Sequence, residues 1–201
     1  MEPYHLTSAQ DNVTGEYQQV GYMRMEDEVS RMMQFWLWVF ITAAAGFGFS
    51  SLARSFGKLP ESFRIGTSEI VIGVIVFVVT LVIHEWMHGL ILRRYGARPE
   101  FGLFRNRAIA TITILGYGLR RNTVILVALT PLVVLTCLAL LGIWLLQGTN
   151  WAALFALIAI VNAGAAMTDL WVIAILLRYP SNAWTVDDKD GMRILMPMEN
   201  E

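Results

Sequence analysis

Apolar residues in this chain come in long runs, not in the alternation of a half-buried sheet. Four stretches, residues 35–52, 70–92, 123–146 and 151–177, are almost free of charge. Each is long enough to cross roughly 30 Å of hydrocarbon as a helix. Trp36 and Trp38 open the first and suit the headgroup level. Gly46 and Gly48 offer room for a close helix neighbour, and a tight Gln147–Asn150 turn joins the third and fourth runs. Residues 93–121 are different. Pro99, Gly102, Asn106, Gly116 and Gly118 punctuate them, and Ala110–Ile114 alternates as a strand does. This predicts a β-hairpin or small sheet, turning near Asn106, whose backbone must be paired if it dips into the membrane. The expected fold class is therefore an all-α polytopic membrane protein with about four transmembrane helices and that small β element between the second and third. Residues 1–34 and 178–201 read as polar tails flanking a membrane domain of residues 35–177. Met23–Gln34 reads as a solvated approach to the first span, or as a helix lying on the membrane surface.

Composition sharpens this reading. Of 201 residues, 56% are hydrophobic and 15% charged, and mean hydropathy is +0.53, well outside the soluble norm. A net charge of −1 gives no reason to expect nucleic acid as a partner. A single cysteine, Cys137, excludes a disulfide framework. No basic-then-apolar signal peptide opens the chain. Arginines 93, 94, 98, 105, 107, 120 and 121 crowd the segment between the second and third runs, whereas the turn between the third and fourth has no Lys or Arg. The positive-inside bias then predicts that both termini and the arginine-rich segment are cytoplasmic, in a multi-pass protein of the plasma membrane.

Candidate chemistry is concentrated in one pentapeptide, His84-Glu85-Trp86-Met87-His88, near the end of the second run. Histidines four residues apart on a helix stand one turn from each other and can share a metal ion. The glutamate between them is placed to act as general base on a water at that ion. The other reading is a histidine pair bonded inside a helix bundle. Two histidines and a glutamate are costly in hydrocarbon, which favours function.

Depth identifies a third ligand. Asp169 is the one carboxylate after the pentapeptide that lies inside a predicted span. Counted from Arg93 and Arg178 at the ends of two helices running the same way, Glu85 and Asp169 both lie about 12–14 Å below the surface. Asn162 precedes Asp169 by two turns and could orient a ligand, bind a substrate carbonyl or bond between helices. Gly164, Ala165 and Ala166 permit close approach of the second helix. Pro131 frees a backbone carbonyl at about the same depth, although a plain kink accounts for it.

His84-Glu85-Trp86-Met87-His88-Gly89, the arginine-rich β-like segment, and Asn162 through Asp169 on a later span together resemble site-2-protease-type intramembrane zinc peptidases. Within that group the likeness is to the small membrane family of zincin peptidases. It covers roughly Ile70 to Leu177. The sequence departs from better-known site-2 proteases in having Ala165 and Ala166 where they carry a proline between Asn and Asp, and Leu170 where they carry a glycine. The resemblance implies Zn²⁺ held by His84, His88 and Asp169, with Glu85 taking a proton from the attacking water and returning it to the leaving amine. It also implies substrates that are membrane proteins or peptides, met within the lipid bilayer, on which the β-like segment could dock an extended chain. Nothing in the pattern fixes an oligomeric state. A di-iron or desaturase site would need more histidines or carboxylates than the chain has, a six-coordinate haem site would need histidines on separate helices, and a transporter would show broken repeat halves. The stronger rival is a non-catalytic zinc-binding scaffold or chaperone derived from such a protease. Intact Glu85 argues against it.

Overall fold

The computed structural model describes residues 17–24, 28–55, 66–103, 110–114, 117–188 and 191–198. Five helices carry most of them: α1 (Glu28–Ser55), α2 (Thr67–Arg94), α3 (Arg121–Leu145), α4 (Asn150–Ala165) and α5 (Met167–Leu176). Three are long and apolar enough to cross a membrane, over Met32–Leu52, Ile70–Arg94 and Arg121–Leu145. The fourth expected span is broken. Helices α4 and α5 meet at Ala166 with a bend of 42°, and together they have the length and apolarity of one span. α4 packs against α1, α2 and α3, and α3 also packs against α5. Large apolar side chains cover the outside of the bundle. Phe47 is 79% exposed, and Phe40, Trp36, Val133 and Trp144 also face outward, an arrangement suited to hydrocarbon and not to water.

Small residues set the helix crossings, but not all of those expected. A Cβ at Gly142 on α3 would collide with the Phe155 ring on α4. One at Gly164 would lie 2.8 Å from Thr42 Oγ1, so Gly164 serves the crossing of α4 with α1, not an approach to α2. Among the described residues, Gly46 and Gly48 have nothing within 4 Å of an added Cβ and make no close crossing.

The β structure is larger than the pattern indicated. Strands β2 (Glu100–Leu103) and β3 (Ala110–Thr113) form the antiparallel hairpin expected there, with Glu100 opposite Thr113 and Leu103 opposite Ala110. The proposed turn at Asn106 lies outside the described residues. A second, four-stranded antiparallel sheet is built from both tails and the end of the inter-helix segment. It contains β1 (Tyr17–Arg24), β4 (Gly118–Arg120), β5 (Trp184–Asp188) and β6 (Gly191–Pro197), in the order β1-β6-β5-β4. The tails are thus strands over these residues, and Met23 is a buried strand residue, not part of a surface helix. Met23, Met192 and Ile194 from the sheet pack with Val172 and Leu176 from α5, fixing the sheet against the ends of the helices. Gly21 passes so close to Tyr179 that a Cβ there would collide with the ring. A register shift between Gln19 and Gly21 accompanies this contact.

Candidate metal centre

The pentapeptide lies on the last three turns of α2, inside the bundle, with His84 almost wholly buried and His88 buried beside it. The two imidazole centroids are 5.0 Å apart, one helical turn, as the spacing requires. α5 brings the third group. The bend at Ala166 places Asp169 in the first turn of α5, where the helix dipole favours a carboxylate. Its Oδ2 lies 3.1 Å from His84 Nε2 and 3.4 Å from His88 Nε2.

The outer nitrogen of each ring is also held. His84 Nδ1 is 2.9 Å from Asn162 Oδ1. The amide nitrogen of Asn162 donates to the Leu132 carbonyl and to Thr136 Oγ1, each at 3.2 Å, which leaves its oxygen to face His84. Asn162 is fully buried, so its hydrogen bonds are made within the protein. His88 Nδ1 is 3.0 Å from the Val127 carbonyl. That carbonyl would normally accept from the N–H four residues on, but residue 131 is proline and has none. Pro131 therefore supplies an acceptor for His88, a role that its reading as a plain kink omits.

These partners fix the tautomers. An amide oxygen and a peptide carbonyl only accept, so each Nδ1 carries the proton and each Nε2 presents a lone pair. A carboxylate oxygen lies 3.1 Å from one of these lone pairs and 3.4 Å from the other, which is repulsive unless a proton or a cation lies among them. Ligands at about 2.0–2.1 Å from a tetrahedral zinc stand about 3.3 Å from one another, and those separations match. The remaining hydrogen bonds are the outer partners that metal-binding histidines require. The donor set fits zinc. His84, His88 and Glu85 also form a group whose ligand atoms all lie within 4.8 Å of one another.

Glu85 is partly buried and faces a cavity of about 430 Å³, along with His88 and Asp169. Apolar side chains of α2, α3 and α5 form most of its wall, and the inner face of the four-stranded sheet closes one side. All five residues singled out in the sequence are thus brought to one place: His84, His88, Asp169 and Asn162 in a bonded cluster, and Glu85 on the wall beside it. Sequence reasoning missed Val127, Leu132 and Thr136, which act through α3. It also missed Asp187 of β5, on the sheet side of the cavity. Burial pushes the Asp187 carboxyl up to about 6.

A family model described as "Putative zincin peptidase" matches residues 77–184, just over half of the chain. The matched region contains the pentapeptide, the β2–β3 hairpin, α3, and both halves of the bent pair. Such peptidases use zinc, in agreement with the donor set. No curated protein and no solved structure matches the chain.

Proposed function

The chain belongs to the zincin peptidase family, and on that premise we propose that it is an intramembrane zinc metallopeptidase of the site-2-protease type that hydrolyses peptide bonds of membrane proteins. The observation that carries this reading is that Asp169 Oδ2 stands at tetrahedral-edge distances from both His84 Nε2 and His88 Nε2, on helices apolar enough to lie in a bilayer. A catalytic zinc needs three protein ligands and one open position. His84, His88 and Asp169 would be the three, and the cavity lined by His88, Asp169 and Glu85 would admit water and substrate to them.

When bound, zinc polarises the scissile carbonyl and brings the attacking water toward neutral pKa. The protein's own residues do the rest. Asn162 and the Val127 carbonyl hold the imidazoles in the tautomers that offer Nε2. Glu85, on the cavity wall, takes the proton of the attacking water and passes it to the departing amine nitrogen. Apolar side chains around the cavity exclude bulk water and admit a stretch of unwound chain. The arginine-rich segment supports an orientation with the sheet and both tails in the cytoplasm, which places cleavage near the inner leaflet, in our reading of the plasma membrane.

Glu85→Gln tests this reading. Glutamine keeps the size of the side chain but cannot accept the proton. The substitution should leave zinc content unchanged, lower hydrolysis on the order of 10²–10⁴-fold, and cause uncut membrane proteins to accumulate. A mutant that retains zinc and supports every cellular role of the unaltered chain would mark the protein as a scaffold.

A further inference from the structure

The cavity in front of the metal site has a charge that the chemistry just described does not use. Its sheet wall is built by strand alternation. Thr185 and Asp187 are two apart on β5 and share a face, as do their cross-strand partners Leu119 on β4 and Met192 on β6. All four line the cavity. Trp184 and Val186 point to the opposite face, where they pack with Tyr17 and Leu195. The nearby arginines go that way as well. Arg120 pairs with Trp184 and its guanidinium lies over that indole ring, and Arg193 pairs with Val186. Among the described residues, no lysine or arginine lines the cavity, which carries Glu85, Asp169 and Asp187.

Counting charge with the metal included separates these acids. Zinc brings two positive charges, which Asp169 and Glu85 balance. Asp187 is left over, in a wall of mostly apolar groups, and no lysine or arginine is among the described residues that line the cavity with it. Burial accordingly raises its carboxyl to about 6, so the fold bears a cost for keeping a charge there at neutral pH. A group held at such a cost, facing the cavity of a hydrolase, is suited to meet a complementary charge on a ligand.

We infer that Asp187 is a specificity-determining residue, which receives a cationic group of the substrate in the part of the cavity bounded by the sheet. This rests on the peptidase reading above. The group is an ammonium or guanidinium, carried either on a lysine or arginine side chain or as a free α-amine. Its pairing with Asp187, in a cavity walled mostly by apolar side chains, is a charge-assisted hydrogen bond, stronger than the same pair at a surface. An uncharged analogue leaves the carboxylate unpaired and is rejected. The hydroxyl of Thr185, which donates to the Leu119 carbonyl, and the thioether of Met192 line the same wall as the carboxylate.

The test uses the full-length, zinc-loaded protein and peptidyl hydroxamates, which bind a metallopeptidase without being cut. Two series extend to either side of the hydroxamate. In each, lysine, norleucine or glutamate is walked through the positions, and free-amine and acetylated forms are compared. The unaltered protein should bind lysine at one position about 10–100-fold more tightly than norleucine, and glutamate more weakly still. In Asp187→Asn, at wild-type zinc content, the lysine-to-norleucine ratio should fall to within about twofold. A preference for the free amine over the acetylated form, abolished by the same substitution, would assign the cation to the α-amine instead. If hydroxamates bind but no cation is preferred, or if the preference survives Asp187→Asn, the inference is overturned alone. If none binds, the peptidase reading falls and this inference with it.

Discussion

At the scale of single residues, the site is held by partners that do not touch the reacting atoms. Asn162 donates two hydrogen bonds to α3 and accepts from His84, so one amide ties three helices together at the ring of a ligand. Replacing it with alanine removes the acceptor that fixes the His84 tautomer. Loss of such an outer partner commonly costs 10–100-fold in metal affinity. Asn162→Ala should show that loss in competition with a chelator, whereas unchanged affinity would reduce Asn162 to a link between helices. Asp187 gives a residue-scale prediction of a different kind. Its carboxyl rises from 3.8 in the unfolded chain to about 6 in the folded one. A raised carboxyl pKa favours folding while the proton is on, so this contribution is complete below pH 3.8 and is lost as pH rises through about 6. Asp187→Asn should therefore melt at the same temperature as the unaltered protein near pH 4 and at a higher one near pH 7.5. A mutant that melts lower at neutral pH would show that the carboxylate is paired in the fold.

At the scale of elements, α3 shows how a helix defect can serve a neighbouring helix. Pro131 leaves the Val127 carbonyl without its intrahelical partner, and His88 of α2 takes it. In Pro131→Ala the new N–H reaches that carbonyl and competes with His88. Helix propensity improves by up to about 3 kcal/mol, so the metal-free protein should melt higher, while zinc affinity falls about tenfold. Higher stability with unchanged zinc affinity would return Pro131 to the role of a kink. The depth of this carbonyl was legible in the sequence, because helical rise counts residues from the arginine-rich end. Its recipient was not, since rotation of α3 about its own axis depends on packing against α2 and α4. The same distinction explains the fourth span. Length and apolarity gave one helix over residues 151–177, and Asn162 and Asp169 were expected on a common face. The bend at Ala166 instead lets Asn162 reach one nitrogen of His84 and Asp169 the other. No proline marks that bend, so nothing local in the sequence announced it.

At the scale of the whole molecule, the four-stranded sheet joins parts of the chain that hydrophobic runs treat as separate. β1 comes before α1, β4 precedes α3, and β5 and β6 follow α5. Such strands are short, and apart from the neighbouring β5 and β6 their partners lie far along the chain, so periodicity gave polar tails where the structure has paired strands. The sheet constrains topology. Residues 17–24, 118–120, 184–188 and 191–197 pair with one another and must share one side of any membrane that the helices cross. The helix count agrees, since α1 with α2, and α3 with the bent α4–α5 pair, each leave and return. Which side this is follows from charge: arginines 93, 94, 98, 120 and 121 lie at the sheet end of α2 and α3, and the turn at residues 146–149 has no Lys or Arg. The sheet should therefore face the cytoplasm. In a protein with Cys137→Ser, cysteines introduced at Gln18 on β1 and Gln147 in the turn report on the two faces. A membrane-impermeant thiol reagent applied to intact cells should label Gln147→Cys and spare Gln18→Cys until the membrane is opened. Labelling of Gln18→Cys from outside would turn the molecule over and open its cavity to the outer leaflet. Labelling of both would break the pairing of the tails with the rest of the sheet.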